Sequence, residues 1–188
     1  RPDDLLADVM KNVMAKSKFK VEQVEDIVMG CGNQSGEDSR CVARHAGLAA
    51  GFPIEIPCTV LQRNCASGLG ALAHAAHSIT AGEGDVFIVG GVESMSRSPL
   101  IISRAENPFD RGIKMADTTI GPRFSNPKLA KQFGDHQMPQ TADNLAREYG
   151  ITREQADTFA AASQQKFALA KGEGFFAGEI SPVEMPAT

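Results

Sequence analysis

The chain has 188 residues, 42% of them apolar and 22% charged, which is an ordinary balance for a globular protein that buries a core without disulfides or metal. Nineteen basic residues against 23 acidic ones leave a net charge of −4. That argues against a nucleic-acid binder, which would carry a basic surplus or stripe. There is no Trp and only one Tyr, so neither a base-stacking platform nor an aromatic membrane belt is expected.

Arg1-Pro2-Asp3-Asp4 opens a helix, with Pro and acids in the first turn. Leu5, Leu6, Val9, Met10, Val13 and Met14 then recur on one helical face. Val24 to Met29 reads as a strand closed by Gly30, and Gly32 to Asp38 as a polar loop. Ser39 to Ala50 is an Ala-rich helix stopped by Gly51. Pro53 and Pro57 bracket a linker before a short strand, Cys58 to Gln62. A helix from about Ala66 to Ala81 follows, then a turn at Gly82-Glu83-Gly84. Val86 to Val89 is an apolar strand ending in Gly90-Gly91, and its lack of alternation predicts cover on both faces. Strands alternating with helices predict an α/β fold with parallel pairs.

The pattern changes at residue 93. Residues 93–140 hold five of the ten prolines and show no sustained period. A loop excursion is expected there, with one short helix near Lys128–Phe133. Regular structure resumes at Thr141. Thr152 and Gln155 form a capping box that opens a helix to about Lys171, with Gly172 as its stop.

The uncharged stretch Asn64–Gly82 is long enough to raise the question of a membrane span. Its Asn, Ser, Thr, His and Gly content favours a helix buried in a globular core. Cys31, Cys41, Cys58 and Cys65 show no C-x-x-C spacing, and the histidines form no ligand set, so no metal is expected. With no signal peptide visible, a reducing cytoplasmic setting is expected. An organelle stays open, because the chain begins with Arg1 and not Met.

The chemistry concentrates in Gln62-Arg63-Asn64-Cys65-Ala66-Ser67-Gly68, between a strand and the uncharged helix. A cysteine at such an elbow meets the positive end of the helix dipole and its unpaired N–H groups, which favour thiolate over thiol. Ala66, Ser67 and Gly68 are small and leave room for a substrate. The Cys65 backbone N–H is placed to help hold an oxyanion, as in other nucleophile elbows. A buried structural cysteine is the competing reading.

Read on through Ala81-Gly82-Glu83 and Gly90-Gly91-Val92-Glu93-Ser94-Met95-Ser96, this run resembles the thiolase family, the acetyl-CoA acetyltransferases and 3-ketoacyl-CoA thiolases. Gly32 to Arg40 resembles the segment before the family's second helix. Met138-Pro139-Gln140-Thr141-Ala142-Asp143-Asn144 resembles its Met-Gly-x-Thr-Ala-Glu-Asn. Gly150 to Gln165 resembles the helix that follows.

The resemblance implies an α/β thiolase-like N-terminal half, a mixed sheet covered by helices with a loop-domain excursion. Residues 1–92 would be the core without its leading strand, 93–140 the loop domain and 141–188 a helical return segment, with the C-terminal thiolase domain absent. It implies Cys65 as the acylated nucleophile, Met138 bordering the acyl pocket and Leu129 touching the CoA moiety. Glu93 is expected to be a buried carboxylate bonded to backbone. Acyl-CoA and coenzyme A would be substrates, with no permanently bound cofactor. A homodimer or homotetramer is implied, without nucleic-acid or membrane partners.

Gln62 departs from the Asn, Ser or Thr of many thiolases and points to a subgroup, with longer acyl chains as one option. Pro139 departs from the usual Gly after the pocket Met. The family's Gly-His-Pro, Cys-x-Gly-Gly-Gly and Asn-Glu-Ala-Phe segments do not occur in these 188 residues. His45, His74, His77 and His136 have other neighbours, and His74 and His77 read as core or interface residues. The chain is therefore expected to be inactive in isolation. A ketoacyl synthase-type condensing enzyme and a non-catalytic half-length subunit are the alternatives.

Overall fold

The computed structural model describes residues 1–184. Residues 185–188, the end of the expected 141–188 segment, lie outside the described residues. The chain divides into two units, Arg1–Thr119 and Ile120–Glu184.

In the first unit, β1 (Asp26–Gly30) is the central strand of a three-stranded sheet. Ile27, Val28 and Met29 are almost wholly buried. Strand β2 (Cys58–Leu61) pairs with it on one side and β3 (Phe87–Gly91) on the other, both in parallel. Parallel neighbours need long crossovers. Helix α2 (Val42–Ala49) carries the chain from β1 to β2, and α3 (Ser67–Ala81) from β2 to β3. Helix α1 (Pro2–Lys16) packs on α2, and Leu6, Met10, Val42, Ala46 and Phe52 share one core with Ile27 and Met29. Fully burying such side chains stabilises by about 1.5–3 kcal/mol each before entropy is counted.

Among the described residues, antiparallel pairing is confined to a separate ribbon. Strand β4 (Leu100–Ile102) pairs with β5 (Met115–Asp117), inside the stretch expected to be irregular. The mixed sheet thus resolves into a parallel sheet and an antiparallel ribbon. The ribbon is tied to the Gly32–Asp38 loop. Asn33 Nδ2 donates to the Thr118 carbonyl at 2.8 Å, and Thr118 Oγ1, fully buried, donates to the Pro99 carbonyl at 2.6 Å.

Three expectations are corrected. Helix α2 starts at Val42 and not Ser39, because Arg40 and Cys41 take left-handed φ values of 58° and 71°. Strand β3 is not covered on both faces: as an edge strand it buries Ile88 and leaves Phe87 and Val89 half-covered. Helix α3 is not enclosed either. Ser67, Ala71, Ala75 and Ser78 form a narrow buried stripe that lies close on the sheet, while Leu69, Leu72 and Ile79 are exposed. His74 and His77 are exposed as well.

The second unit holds α4 (Pro127–Phe133), α5 (Met138–Glu148) and α6 (Arg153–Gly172). None of the three contains a buried residue. Helix α5 begins three residues earlier than the sequence predicts, at the Met138-Pro139 step, where Pro occupies the first turn. Among the described residues no helix is long and apolar enough to cross a membrane.

Candidate active site

The carboxyl ends of β1 and β3 are packed without side chains. A Cβ on Gly30 would overlap the Ser67 backbone at the start of α3, and one on Gly91 would lie 2.8 Å from the Gly30 carbonyl oxygen. Sheet and helix backbones therefore meet directly. A cleft of about 480 Å³ opens over this floor, lined by Asn33, Cys65, Gly68, Glu93, Met95 and Thr119 among others. Ligands of open α/β sheets bind in such crevices at the carboxyl ends of the strands, and the volume lies in the range of small-molecule sites.

Cys65 stands between β2 and α3 and is the one exposed cysteine. Cys31 is buried, and Cys41 and Cys58 are half-buried. The structural reading of a buried cysteine therefore fits Cys31 and not Cys65. The Cys31 thiol is pushed up to about 11, first by burial and then by the nearby Glu93 carboxylate. Burial also pushes the Cys58 thiol up.

The elbow is stitched by Ser67. Its hydroxyl donates to the Asn64 carbonyl at 2.6 Å and accepts from the Arg63 N–H at 2.9 Å. The N–H groups of Ala66 and Ser67 turn back onto the Arg63 and Asn64 carbonyls at 3.0 and 3.1 Å. Two of the N–H groups at the helix entrance are thus spent on the turn itself. Asn64 takes a left-handed φ of 49°, which Asn tolerates better than most residues.

Glu93 is exposed, contrary to the expected burial, and its carboxylate accepts the Gly32 N–H. The backbone bond was legible in the sequence, and the exposure follows from its place just beyond edge strand β3. Gln62 Nε2 donates to the Gly32 carbonyl at 3.0 Å. Leu129 on α4 and Met138 at the start of α5 belong to the second unit, and both are exposed. Asn33, Met95 and Thr119 were not singled out by sequence reasoning, and of Ser67 only the small size was. Asn33 and Met95 lie inside motifs that resemble the family's, whereas Thr119 is brought to the cleft by the ribbon and has no local signal. Among the described residues, no group of three or more His, Cys, Asp or Glu side chains is arranged to hold a metal ion.

Fold and site together define a parallel α/β protein with an exposed cysteine on a strand-to-helix elbow. A family model described as the thiolase N-terminal domain matches residues 1–188, and the chain belongs to the thiolase family. A beta-ketoadipyl-CoA thiolase of Acinetobacter baylyi is 51% identical over 187 residues, covering 99% of this chain and 47% of the relative. A 3-oxoadipyl-CoA/3-oxo-5,6-dehydrosuberyl-CoA thiolase of Escherichia coli is 48% identical over 184 residues, covering 97% and 46%. An acetyl-CoA acetyltransferase of Allochromatium vinosum is 36% identical over 178 residues, covering 95% and 44%. The chain spans just under half the length of these relatives.

Proposed function

We propose that Cys65 is the acyl-accepting nucleophile of a CoA-dependent acyltransferase, and that the whole protein cleaves a 3-ketoacyl-CoA thiolytically. The observation that carries this reading is the exposure of Cys65, alone among four cysteines, over the cleft at the carboxyl ends of the strands. The relatives named for beta-ketoadipyl-CoA support a substrate whose acyl chain ends in a second carboxylate.

The reaction is a two-stage transfer. The Cys65 thiolate attacks the C3 carbonyl carbon, and its electron pair forms the S–C bond. The C2–C3 bond then breaks and its electrons leave as the acetyl-CoA enolate, which takes a proton. The shortened acyl group remains as a thioester on Cys65. A second CoA thiol attacks that thioester, gives up its proton and releases the shortened acyl-CoA. For a beta-ketoadipyl chain the products are acetyl-CoA and succinyl-CoA. In the reverse direction, acetyl-Cys65 accepts an acetyl-CoA enolate.

In this reading the Cys65 N–H is one oxyanion donor, Met138 borders the acyl chain and Leu129 meets the CoA moiety. The family's histidine that activates the nucleophile, its second, acid/base cysteine and its water-orienting Asn belong to segments that do not occur in these 188 residues, so the chain alone is proposed not to turn over. Losing members of a catalytic unit costs several orders of magnitude. The whole protein is proposed to act as a homodimer or homotetramer in a reducing, cytoplasmic compartment.

The test is the intact mass of the natural gene product before and after incubation with acetyl-CoA and with beta-ketoadipyl-CoA, beside Cys65→Ser. An acyl adduct that requires Cys65 is expected. An adduct retained by Cys65→Ser, or none on either protein, would overturn the assignment.

A further inference from the structure

Gly32 follows the central strand by two residues, and both of its main-chain polar groups are held by side chains. Its N–H donates to the carboxylate of Glu93, two residues beyond edge strand β3. Its carbonyl accepts from Nε2 of Gln62 at 3.0 Å, one residue beyond the opposite edge strand β2. The grip leaves no slack around the glycine. A Cβ on Gly32 would lie 3.1 Å from Glu93 Oε1 and 3.3 Å from the Asn64 carbonyl oxygen. Asn64 is the residue next to Cys65, so the elbow runs close beside the glycine that the two side chains hold. Gly32, Asn33, Cys65 and Glu93 all border the cleft.

We propose that Gln62 and Glu93 form a brace across the carboxyl edge of the sheet, with Gly32 as its keystone, and that the brace sets the distance between the Cys65 elbow and the facing wall of the cleft. Both are positioning residues. Gln62 acts on the width of the cleft through Gly32. Glu93 acts as a hydrogen-bond acceptor, and its negative charge is incidental to that role. Any bearing of the cleft's width on which acyl chains fit rests on the reading of Cys65 as acyl acceptor. The brace itself rests on the geometry alone.

The experiment compares alkylation of Cys65 in the intact protein by iodoacetamide and by a bulky fluorescein-linked iodoacetamide, quantified at Cys65 by peptide mass spectrometry. Releasing the brace lets the wall move, so the bulky-to-small rate ratio should rise roughly three- to tenfold in Glu93→Ala and Gln62→Ala, the scale of one hydrogen bond. Glu93→Gln keeps an acceptor for the Gly32 N–H and should restore the original ratio. The double Ala variant should exceed the single variants little, because either cut opens the same brace. An unchanged ratio in the Ala variants, whether or not the melting temperature falls, would overturn the proposal. So would Glu93→Gln behaving like Glu93→Ala, or single effects that multiply in the double variant. No acyl-CoA enters this measurement. A changed ratio in a protein that acyl-CoA never acylates would keep the brace and remove only the acyl-transfer reading.

Discussion

Ser67 holds the turn that aims Cys65. Its hydroxyl accepts the Arg63 N–H and donates to the Asn64 carbonyl, so it spans the residues on either side of the left-handed step at Asn64. It is 5% exposed, and water cannot easily replace what it supplies. Ser67→Ala should therefore cost about 0.5–1.5 kcal/mol in stability, the net worth of an ordinary hydrogen bond, read as a lower urea midpoint. Alkylation of Cys65 by iodoacetamide should slow in the same variant once the turn is loose, and Ser67→Thr, which keeps the hydroxyl, should lose less on both measures. The elbow that carries Cys65 is legible from local sequence, because strand, small residues and helix meet there. The part played by Ser67 is not. In the sequence it is one more small residue beside the sulfur, and only the folded turn shows where its hydroxyl points.

Among elements, the start of β3 is tied to the start of β1 by one carboxylate. Glu25 Oε2 accepts the N–H groups of Asp85 and Val86 at 2.5 and 3.0 Å, and the Glu25 N–H donates to the Val86 carbonyl at 2.9 Å. The Asp85 and Val86 N–H groups hold the Glu25 carboxyl below its ordinary range. A carboxyl whose pKa is depressed in the folded state contributes stability above its unfolded pKa and loses it as the pH falls through the folded value. The contribution of Glu25 should therefore be present at pH 7 and be lost as the pH falls through the ordinary Glu range toward the depressed folded value. Glu25→Ala should lower the urea midpoint at pH 7 and have less effect at pH 3. Glu25→Gln, which keeps an acceptor, should flatten the acid dependence.

The order of the core elements was readable because hydrophobic period and turn residues agree there. The capping box at Thr152 and Gln155 is found as the sequence predicts, with the Thr152 side chain accepting from the Gln155 N–H. The misplaced start of α2 has a backbone cause, since nothing in the letters Arg40-Cys41 signals two left-handed residues. Strands β4 and β5 have three residues each, too few to show an alternation. Their pairing depends on contacts distant in sequence, among them Asn33 with Thr118.

For the whole molecule, the two units differ in how much they bury. The first has a continuous core from Leu6 to Val92. The helices of the second contain no buried residue, and Phe159, Leu169 and Phe175 are each at least 67% exposed. Local stability follows buried apolar contact. Limited proteolysis of the 188-residue chain should therefore cut first within 120–184 and leave a resistant piece close to residues 1–119. Equal cleavage of both units would show that the difference in burial does not govern opening. The exposed Leu69, Leu72 and Ile79 of α3, together with an apolar groove of about 340 Å³ between α1 and β3, should also make this chain self-associate, seen as concentration-dependent scattering.

The glycine floor of the cleft bears on how the protein can be redesigned. At Gly30 and Gly91 the main chains touch, so no side chain can be introduced there to recolour the surface a ligand meets. Diversity aimed at new substrates has to enter from the rim, at Asn33, Met95 and Thr119. A saturation library spread evenly over the cleft would waste its floor positions on unfolded protein.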